Sequence, residues 1–417
     1  MTANLAILLI VAVAIVLMLI RPRGIAEVWW IGGGAILLIA LRLVPLPLAG
    51  RAVAEGTDVY LFLIGMMLLS ELASVNGVFD WLSSVAVRSA GHSAARLFTL
   101  IYGLGTIVTI FMSNDATAVV LTPAILTAVR KAKVEPLPHL FACALIANAA
   151  SFVLPISNPA NLVVFHTGMP PVQQWMRYFG VPSVLSIAAT YITMRFIFRQ
   201  ELAAVIDHEV RAEPLRNEGK VVLAGIAFMV LVLLAASSLN MDLGLPACLA
   251  ALAVAAAVSI KTRSDPLPLV RGISWSTLTL VAGLFIMVDA VENIGALDLA
   301  QSWLARVQEL GSAAAALVVG FAVGIGNNLV NNLPLGLIAG GTLHAAHAPG
   351  LIVHAVLIGV DLGPNLSITG SLATILWLLA LRKENVDVTF WQFLKVGAIA
   401  MPVALLLSLA GAILSQP

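Results

Sequence analysis

Ten apolar runs, each long enough to cross a lipid bilayer as a helix of about 20 residues, dominate this sequence. Only 10% of the residues are charged and 60% are hydrophobic, whereas a soluble domain carries about 25% charged residues. The sequence therefore predicts an all-α, polytopic membrane protein. The ten runs lie at 3–20, 25–44, 57–75, 137–168, 172–198, 221–239, 244–260, 273–292, 350–381 and 390–414.

Two further apolar runs, 95–130 and 311–346, are each split by a polar centre. Such a run either crosses the membrane once as a kinked helix or enters and leaves on one face as a re-entrant hairpin. With two hairpins, all of the 22 Lys and Arg residues fall on one side except Arg42, Arg51, Arg177 and Arg306. The positive-inside rule makes the charge-rich side cytoplasmic and puts both termini outside. A single crossing at 95–130 would scatter these charges, which favours the hairpins.

The two halves of the chain are similar to each other. The spacing of Glu71, Gly77 and Asp80 recurs at one constant offset in the second half. The recurring residues are Asp289, Gly295 and Asp298. Each half holds five spans and one hairpin, and because five is odd, the second half enters the membrane from the opposite face. The sequence thus predicts two inverted-topology repeats, an arrangement typical of secondary transporters whose site lies at the midplane between repeats.

Three segments follow from this repeat. The first repeat covers 1–198, with its hairpin at 95–130 and a broken helix at 137–168. A charged stretch at 199–220 is expected to be a solvated cytoplasmic linker. The second repeat covers 221–417, and its hairpin and broken helix are expected at 311–346 and 350–381.

Polar residues interrupt four of the apolar segments, two in each half. Broken helix at membrane depth survives only where the backbone lines a cavity or is buried in protein. Asn and Ser side chains, together with helix N-termini, supply hydrogen-bond donors and acceptors there. A single Asn is most simply explained as an interhelical hydrogen bond, but four matching breaks predict a substrate site. The candidate substrate-binding residues are Ser113, Asn114, Ser157, Asn158, Asn161, Asn331, Asn332, Thr369, Gly370 and Ser371.

Two carboxylates are candidates for proton coupling. Asp115 is the acid within the hairpin runs, and no Lys or Arg lies in either hairpin centre. Burial without a cation disfavours the charged form, so we expect Asp115 to hold and release a proton. Asp115 also opens a helix, where Asp is a favoured N-cap, and the two roles are compatible. Asp361 precedes the break of the second half and is a second candidate.

Other chemistries find little support in the sequence. No P-loop pattern, zinc-protease pattern or Ser–His pair at depth occurs, so we expect a transporter and not an enzyme. His344, His347 and His354 lack a nearby carboxylate or Cys, and no metal site is predicted. Cys143 and Cys248 lie in different halves and make a poor thiolate site. The formal net charge of +1 gives no indication of nucleic-acid binding.

The residues at the breaks resemble those of the arsenite efflux pump family (ArsB). This family lies within the ion-transporter superfamily that includes sodium-coupled dicarboxylate carriers and NhaD-type antiporters. The matching stretches are 113–123, 147–163 and 331–336, and Ser113 departs from the small apolar residue of the family. The matching residues are Asn114, Asp115, Thr122, Pro123, Ser157, Asn158, Asn161, Asn331, Asn332 and Pro334.

The resemblance implies export of trivalent arsenite or antimonite across the cytoplasmic (inner) membrane in exchange for protons, by an elevator-type movement. It implies no bound cofactor beyond the proton gradient, with sodium coupling open, and a soluble ATPase subunit as an optional partner; a homodimer also stays open. Arsenite near neutral pH is an uncharged hydroxide, which suits amides and hydroxyls. A sodium/proton antiporter or a sodium-coupled anion carrier of the same superfamily is the alternative.

Overall fold

The computed structural model describes residues 3–166, 168–206, 214–262, 267–295 and 297–415. Within these ranges the chain is all-helical, and no β-strand forms apart from one isolated bridge between Ser93 and Val205. The prediction of an all-α protein is confirmed. Of the linker expected at 199–220, residues 207–213 lie outside the described ranges.

Within the described ranges, each half of the chain contributes ten α-helices in the same order. In the first half these are α1 (Ala3–Ile20), α2 (Glu27–Ala40), α3 (Leu46–Glu55), α4 (Thr57–Val75), α5 (Val78–Ala90), α6 (Ala94–Phe111), α7 (Thr122–Lys131), α8 (Leu137–Ala149), α9 (Pro159–Val164) and α10 (Val172–Ile197). In the second they are α11 (Asn217–Ser238), α12 (Gly244–Thr262), α13 (Leu267–Gly272), α14 (Trp275–Asn293), α15 (Leu297–Gln308), α16 (Ser312–Val330), α17 (Asn332–Ala345), α18 (Gly350–Leu362), α19 (Leu372–Lys383) and α20 (Phe390–Leu414).

Nine helices in the described ranges are long and apolar enough to cross a membrane: α1, α4, α6, α10, α11, α12, α14, α16 and α20. The chain is therefore a multi-pass membrane protein. The span expected at 25–44 is shorter than predicted, because α2 has 14 residues and a helix of that length extends only about 21 Å. It ends before Arg42, whose φ of 56° cannot continue a right-handed helix.

The helices of the two halves pack in matching pairs. Helix α1 packs on α2 as α11 packs on α12, and α6 packs on α8 as α16 packs on α18. Across the halves, α2 contacts α14 and α12 contacts α4, while α10 and α20 pack extensively on each other. The same set of neighbours thus recurs in each half, with α10 and α20 at their junction.

The segment from α6 to α7 turns back on itself. Near the start of α6, the Phe98 ring lies 6.1 Å from the His139 ring on the first turns of α8. Helix α7 ends at Lys131, shortly before α8 begins. The start of α6 and the end of α7 therefore lie at one end of the helix bundle, and the polar turn at 112–115 lies deeper inside.

Candidate functional site

A strained turn forms the tip between α6 and α7. Ser113 has φ 154°, a region that non-glycine residues adopt only where the surroundings enforce it. Its hydroxyl accepts a hydrogen bond from the backbone N–H of Ala116 at 3.3 Å. A π-helical segment, Ala116–Leu121, follows, in which the Thr122 hydroxyl donates to the Thr117 carbonyl at 3.0 Å. This turn holds Asn114 and Asp115 at a helix start.

The tip between α16 and α17 also has a residue at positive φ whose side chain bonds the backbone. Asn331 has φ 80°, and its side-chain oxygen accepts from the backbone N–H of Leu333 at 3.4 Å. Its amide group also donates to the Thr369 carbonyl at 3.3 Å. Pro334 lacks a backbone N–H and therefore suits the first turn of α17. Asn332 becomes the first residue of that helix.

The two broken helices restart with capped N-termini. Asn158 has extended backbone, and its side-chain oxygen accepts from the Ala160 N–H at 3.0 Å, which caps α9. Ser371 is extended as well, and its hydroxyl accepts from the Thr374 N–H at 3.1 Å, which caps α19. Each cap satisfies one of the free N–H groups of the new helix.

These four helix starts meet at one space, which we call the central cavity. The empty space between its walls, counted out to the open mouth, is about 380 Å³. Val59, Leu63, Val281, Leu333 and Leu372 supply much of its apolar wall. None of the described lining residues is a Lys or Arg. The polar wall consists of Asn114, Asp115, Asn158, Thr277, Asn332 and Ser371.

Five of the residues predicted to form the site therefore line the central cavity together: Asn114, Asp115, Asn158, Asn332 and Ser371. Asp361 lies behind this wall and is fully buried. One of its carboxylate oxygens accepts a hydrogen bond from the Asn158 amide at 2.6 Å. Asp361 thus contacts the cavity through Asn158.

The remaining predicted residues support the breaks and do not line the central cavity. The Ser157 hydroxyl donates to the Ile110 carbonyl at 3.0 Å, and the Asn161 amide donates to carbonyls that the break leaves free, among them that of Ser151 at 2.9 Å. The Thr369 hydroxyl donates to the Asn328 carbonyl at 3.0 Å. The residues in these supporting positions are Ser113, Ser157, Asn161, Asn331, Thr369 and Gly370.

Gly370 is required by close packing. A Cβ atom at this position would lie 2.5 Å from the Cα of Pro364 and 2.8 Å from the Asn328 side chain. The backbone of the second break therefore passes against its neighbours without room for a side chain.

Thr277 is a lining residue that the sequence reasoning missed. It lies on the first turn of α14 and is 8% exposed. Its hydroxyl pairs with that of Ser274 at 2.8 Å. The only signal in the sequence is the polar start of the apolar run 273–292, and Ser and Thr at helix starts are ordinarily explained as caps.

Comparison with known proteins gives a family over most of the chain. The pattern of the family described as "CitMHS: Citrate transporter" matches residues 2–360. An "Arsenical pump membrane protein" from Escherichia coli is 27% identical over 415 residues, covering 95% of each chain. The protein of the same name from Yersinia enterocolitica is 27% identical over 420 residues, covering 96% of each. An "Uncharacterized transporter" from Mycobacterium tuberculosis is 24% identical over 372 residues, covering 84% of each.

The fold is also similar to that of a solved transporter. The crystal structure of the Alcanivorax borkumensis YdaH transporter aligns with a TM-score of 0.58 and 15% sequence identity, covering 90% of this chain and 88% of that one. The predicted resemblance to the arsenite efflux pumps is confirmed by the full-length similarity to the arsenical pump membrane proteins.

Proposed function

The chain belongs to the citrate transporter family CitMHS and is a membrane transporter, and from that premise we propose that it exports trivalent arsenite or antimonite in exchange for protons. The curated relatives named as arsenical pumps span nearly the same length, which supports this substrate class. The observation that carries the proposal is the chemistry of the central cavity.

The central cavity suits a small uncharged solute with hydroxyl groups. Its polar wall consists of amides, hydroxyls and one carboxylate, and no Lys or Arg occurs among its described lining residues. Each hydroxyl of an arsenite molecule can donate and accept a hydrogen bond, which Asn114, Asn158, Asn332 and Ser371 would satisfy. Because buried polar groups left unpaired are costly, this wall discriminates against apolar solutes.

Asp115 is the proposed site of proton exchange. It lines the central cavity, and no described residue forms an ion pair with it. A proton bound to Asp115 on the outer side would be released on the cytoplasmic side as arsenite binds, so that one species replaces the other. Asp361 is a second proposed proton site, since its carboxyl group accepts a hydrogen bond from Asn158 in the cavity wall. A change of charge on Asp361 would therefore alter the hydrogen bonding of Asn158.

We further propose that the two halves are inverted repeats and that residues 95–130 and 311–346 form re-entrant hairpins. The matching helix pairs and the contact between the start of α6 and the start of α8 support this arrangement. In an elevator-type cycle, the hairpins and broken helices would move as one body past the remaining helices. The central cavity, walled by residues of both bodies, would then face each side in turn.

The cytoplasmic (inner) membrane is the proposed location, with both termini outside and the charged stretch 199–220 in the cytoplasm. A soluble ATPase subunit and a second copy of the chain are proposed as optional partners. Neither is needed for the exchange at the central cavity.

A sodium-coupled anion carrier is the alternative, and the family description favours it. A sodium/proton antiporter is a related possibility within the superfamily. A polyanion such as citrate would require cations in its site, and without Lys or Arg in the described wall these would have to be bound sodium ions. Sodium dependence of transport therefore separates the two proposals.

The test is uptake into inside-out membrane vesicles that contain the chain. With a pH gradient, acid inside, we expect accumulation of arsenite when sodium is replaced by choline, and no accumulation after a protonophore is added. Vesicles without the chain are the control. Uptake of citrate in a sodium gradient, with no uptake of arsenite, would contradict the proposal and favour the alternative.

A further inference from the structure

A second small cavity adjoins the central cavity. We call it the access cavity; it encloses about 310 Å³, including its mouth. Leu372 and Thr277 line both the access cavity and the central cavity, so the two spaces share part of their walls. The lining residues used below are Glu27, Ser274, Ser276, Thr277, Leu372 and Leu376.

The walls of the access cavity differ in character. On one side lie the starts of α2 and α14, with the hydroxyls of Ser274, Ser276 and Thr277. Ser274 pairs with Ser276 at 3.2 Å and with Thr277 at 2.8 Å. On the other side lie the apolar residues Leu372 and Leu376 of α19, a helix of the broken element. The access cavity therefore follows the seam between two bodies that the proposed elevator would move past each other.

An ion pair lies beside this seam, with Glu27 in the wall of the access cavity. Glu27 on the first turn of α2 is 7% exposed and forms an ion pair with Arg21. The turn between them is strained, since Arg21 and Arg23 both adopt positive φ, 48° and 58°. Glu27 also lines a third cavity, together with Asn331 at the tip of α17.

We propose that solute reaches the central cavity from the cytoplasm along this seam between α14 and α19, and that the Arg21–Glu27 ion pair holds its mouth closed. The direction of access rests on the proposed topology, which puts the starts of α2 and α14 on the cytoplasmic side. The polar wall replaces part of the hydration shell of an entering hydroxide. Leu372 is the narrow point, because it borders all three cavities.

Thiol labelling tests the route without relying on any transported substrate. The chain contains two Cys residues; Cys143 is fully buried and stays as an internal baseline, and Cys248 is replaced by Ala. Ser276→Cys and Asn293→Cys mark the two ends of α14, since both residues are exposed. We expect a membrane-impermeant maleimide to label Thr277→Cys from the same face as Ser276→Cys, at least tenfold faster than from the face that labels Asn293→Cys. Labelling from the Asn293 face, or from neither, would overturn the route.

The narrow point is tested with a matched pair of bulky substitutions on α19. Leu372→Trp should slow the labelling of Asn332→Cys in the central cavity by at least tenfold from the Ser276 face. Leu379→Trp is the control, because Leu379 is half-buried on the same helix and lines none of these three cavities. Equal slowing by both variants, or by neither, would contradict a passage at Leu372.

The ion pair is tested with Glu27→Gln, which keeps the shape and removes the charge. The turn is then held by local backbone bonds such as Gly24 N–H to the Arg21 carbonyl, and we expect Thr277→Cys to label severalfold faster. Lys261→Cys at the exposed end of α12 lines none of these three cavities and should label at an unchanged rate, and the double variant with Arg21→Gln should match Glu27→Gln alone. An unchanged labelling rate of Thr277→Cys would show that the Arg21–Glu27 ion pair does not close the access cavity. If these labels behave as expected while arsenite is not transported, the route stands and the proposed substrate is wrong.

Discussion

The turn between α6 and α7 and the turn between α16 and α17, the two tips, have similar backbones but carry different side chains. Both begin with a residue at positive φ, Ser113 in the first half and Asn331 in the second, and both then present a helix start to the central cavity. The first tip brings a carboxylate, Asp115, next to Asn114. The second tip brings Asn332 and no acid.

A second difference lies behind the cavity wall. The acid of the second half, Asp361, does not reach the central cavity itself but binds Asn158 of the first half at 2.6 Å. Both acids therefore lie on the first-half side of the cavity, Asp115 in its wall and Asp361 behind Asn158. The comparison teaches that similar backbones can carry different chemistry: in the cavity wall itself the first half presents the proposed proton-exchanging acid, and the second half presents neutral hydrogen-bonding groups.

The largest effect is expected where the two tips differ most. Asp115→Asn keeps the size of the side chain but cannot exchange a proton. We expect pH-driven accumulation of arsenite in inside-out vesicles to be abolished, while exchange of labelled for unlabelled arsenite at equal pH persists. Asn332→Asp, which moves a carboxylate to the other tip in the Asp115→Asn background, should not restore coupling. Full coupling of arsenite transport to protons in Asp115→Asn would contradict the proposed difference between the two tips.

The indirect acid should matter less than the direct one. Asp361→Asn removes the second proposed proton site while its side-chain oxygen can still accept from Asn158, and we expect transport to fall about tenfold, which corresponds to about 1.4 kcal/mol. A double-mutant cycle with Asn158→Ala is the measurement. The double variant should be little worse than Asn158→Ala alone, and simple additivity would show that Asp361 acts elsewhere.

The neutral polar residues Asn332 and Ser371 should affect the affinity for arsenite more than its coupling to protons. Asn332→Ala and Ser371→Ala each remove one hydrogen-bonding group, and a net loss of about 0.5–1.5 kcal/mol corresponds to a rise of about two- to tenfold in the arsenite concentration at half-maximal uptake. The pH gradient should still drive accumulation. Thr342→Val is the matched control on α17, because the Thr342 hydroxyl bonds the Ile338 carbonyl within the helix and Thr342 is not among the described residues that line the central cavity. Loss of coupling in Asn332→Ala would contradict the division of roles.

The smallest effect on transport is expected from the supporting residues. Asn161→Ala removes the donor to the free carbonyls of the first break and should lower the free energy of unfolding by about 1–3 kcal/mol. Thermal denaturation in detergent measures this loss. The half-maximal arsenite concentration of the folded fraction should be unchanged, whereas a large change in affinity with normal stability would place Asn161 in the site.

Several features of the fold follow directly from the sequence. The apolar runs predict the helices because their length and composition match the bilayer, and the breaks are predicted because Pro and clustered polar residues cannot continue a lipid-exposed helix. The end of α2 was missed because Arg42 adopts a left-handed conformation, which Arg rarely does. The turn that shortens this span depends on packing and not on the local pattern.

The site is only partly predictable for a physical reason. An Asn at a break either lines the cavity or bonds a carbonyl that the break leaves free, and the residue type does not distinguish the two. Asn158 and Asn161 are three positions apart, yet Asn158 lines the central cavity while Asn161 bonds the backbone. Thr277 shows the converse, since a Thr at the start of an apolar helix gains its position in the wall only through tertiary packing.

The most direct test of the account follows protons and arsenite together in proteoliposomes that contain the purified chain and a trapped pH indicator. With sodium absent, addition of arsenite outside should release protons from the lumen in step with arsenite entry, and Asp115→Asn should silence the proton signal. Arsenite entry that moves no protons, or that requires sodium, would contradict an exchange of arsenite for protons at Asp115.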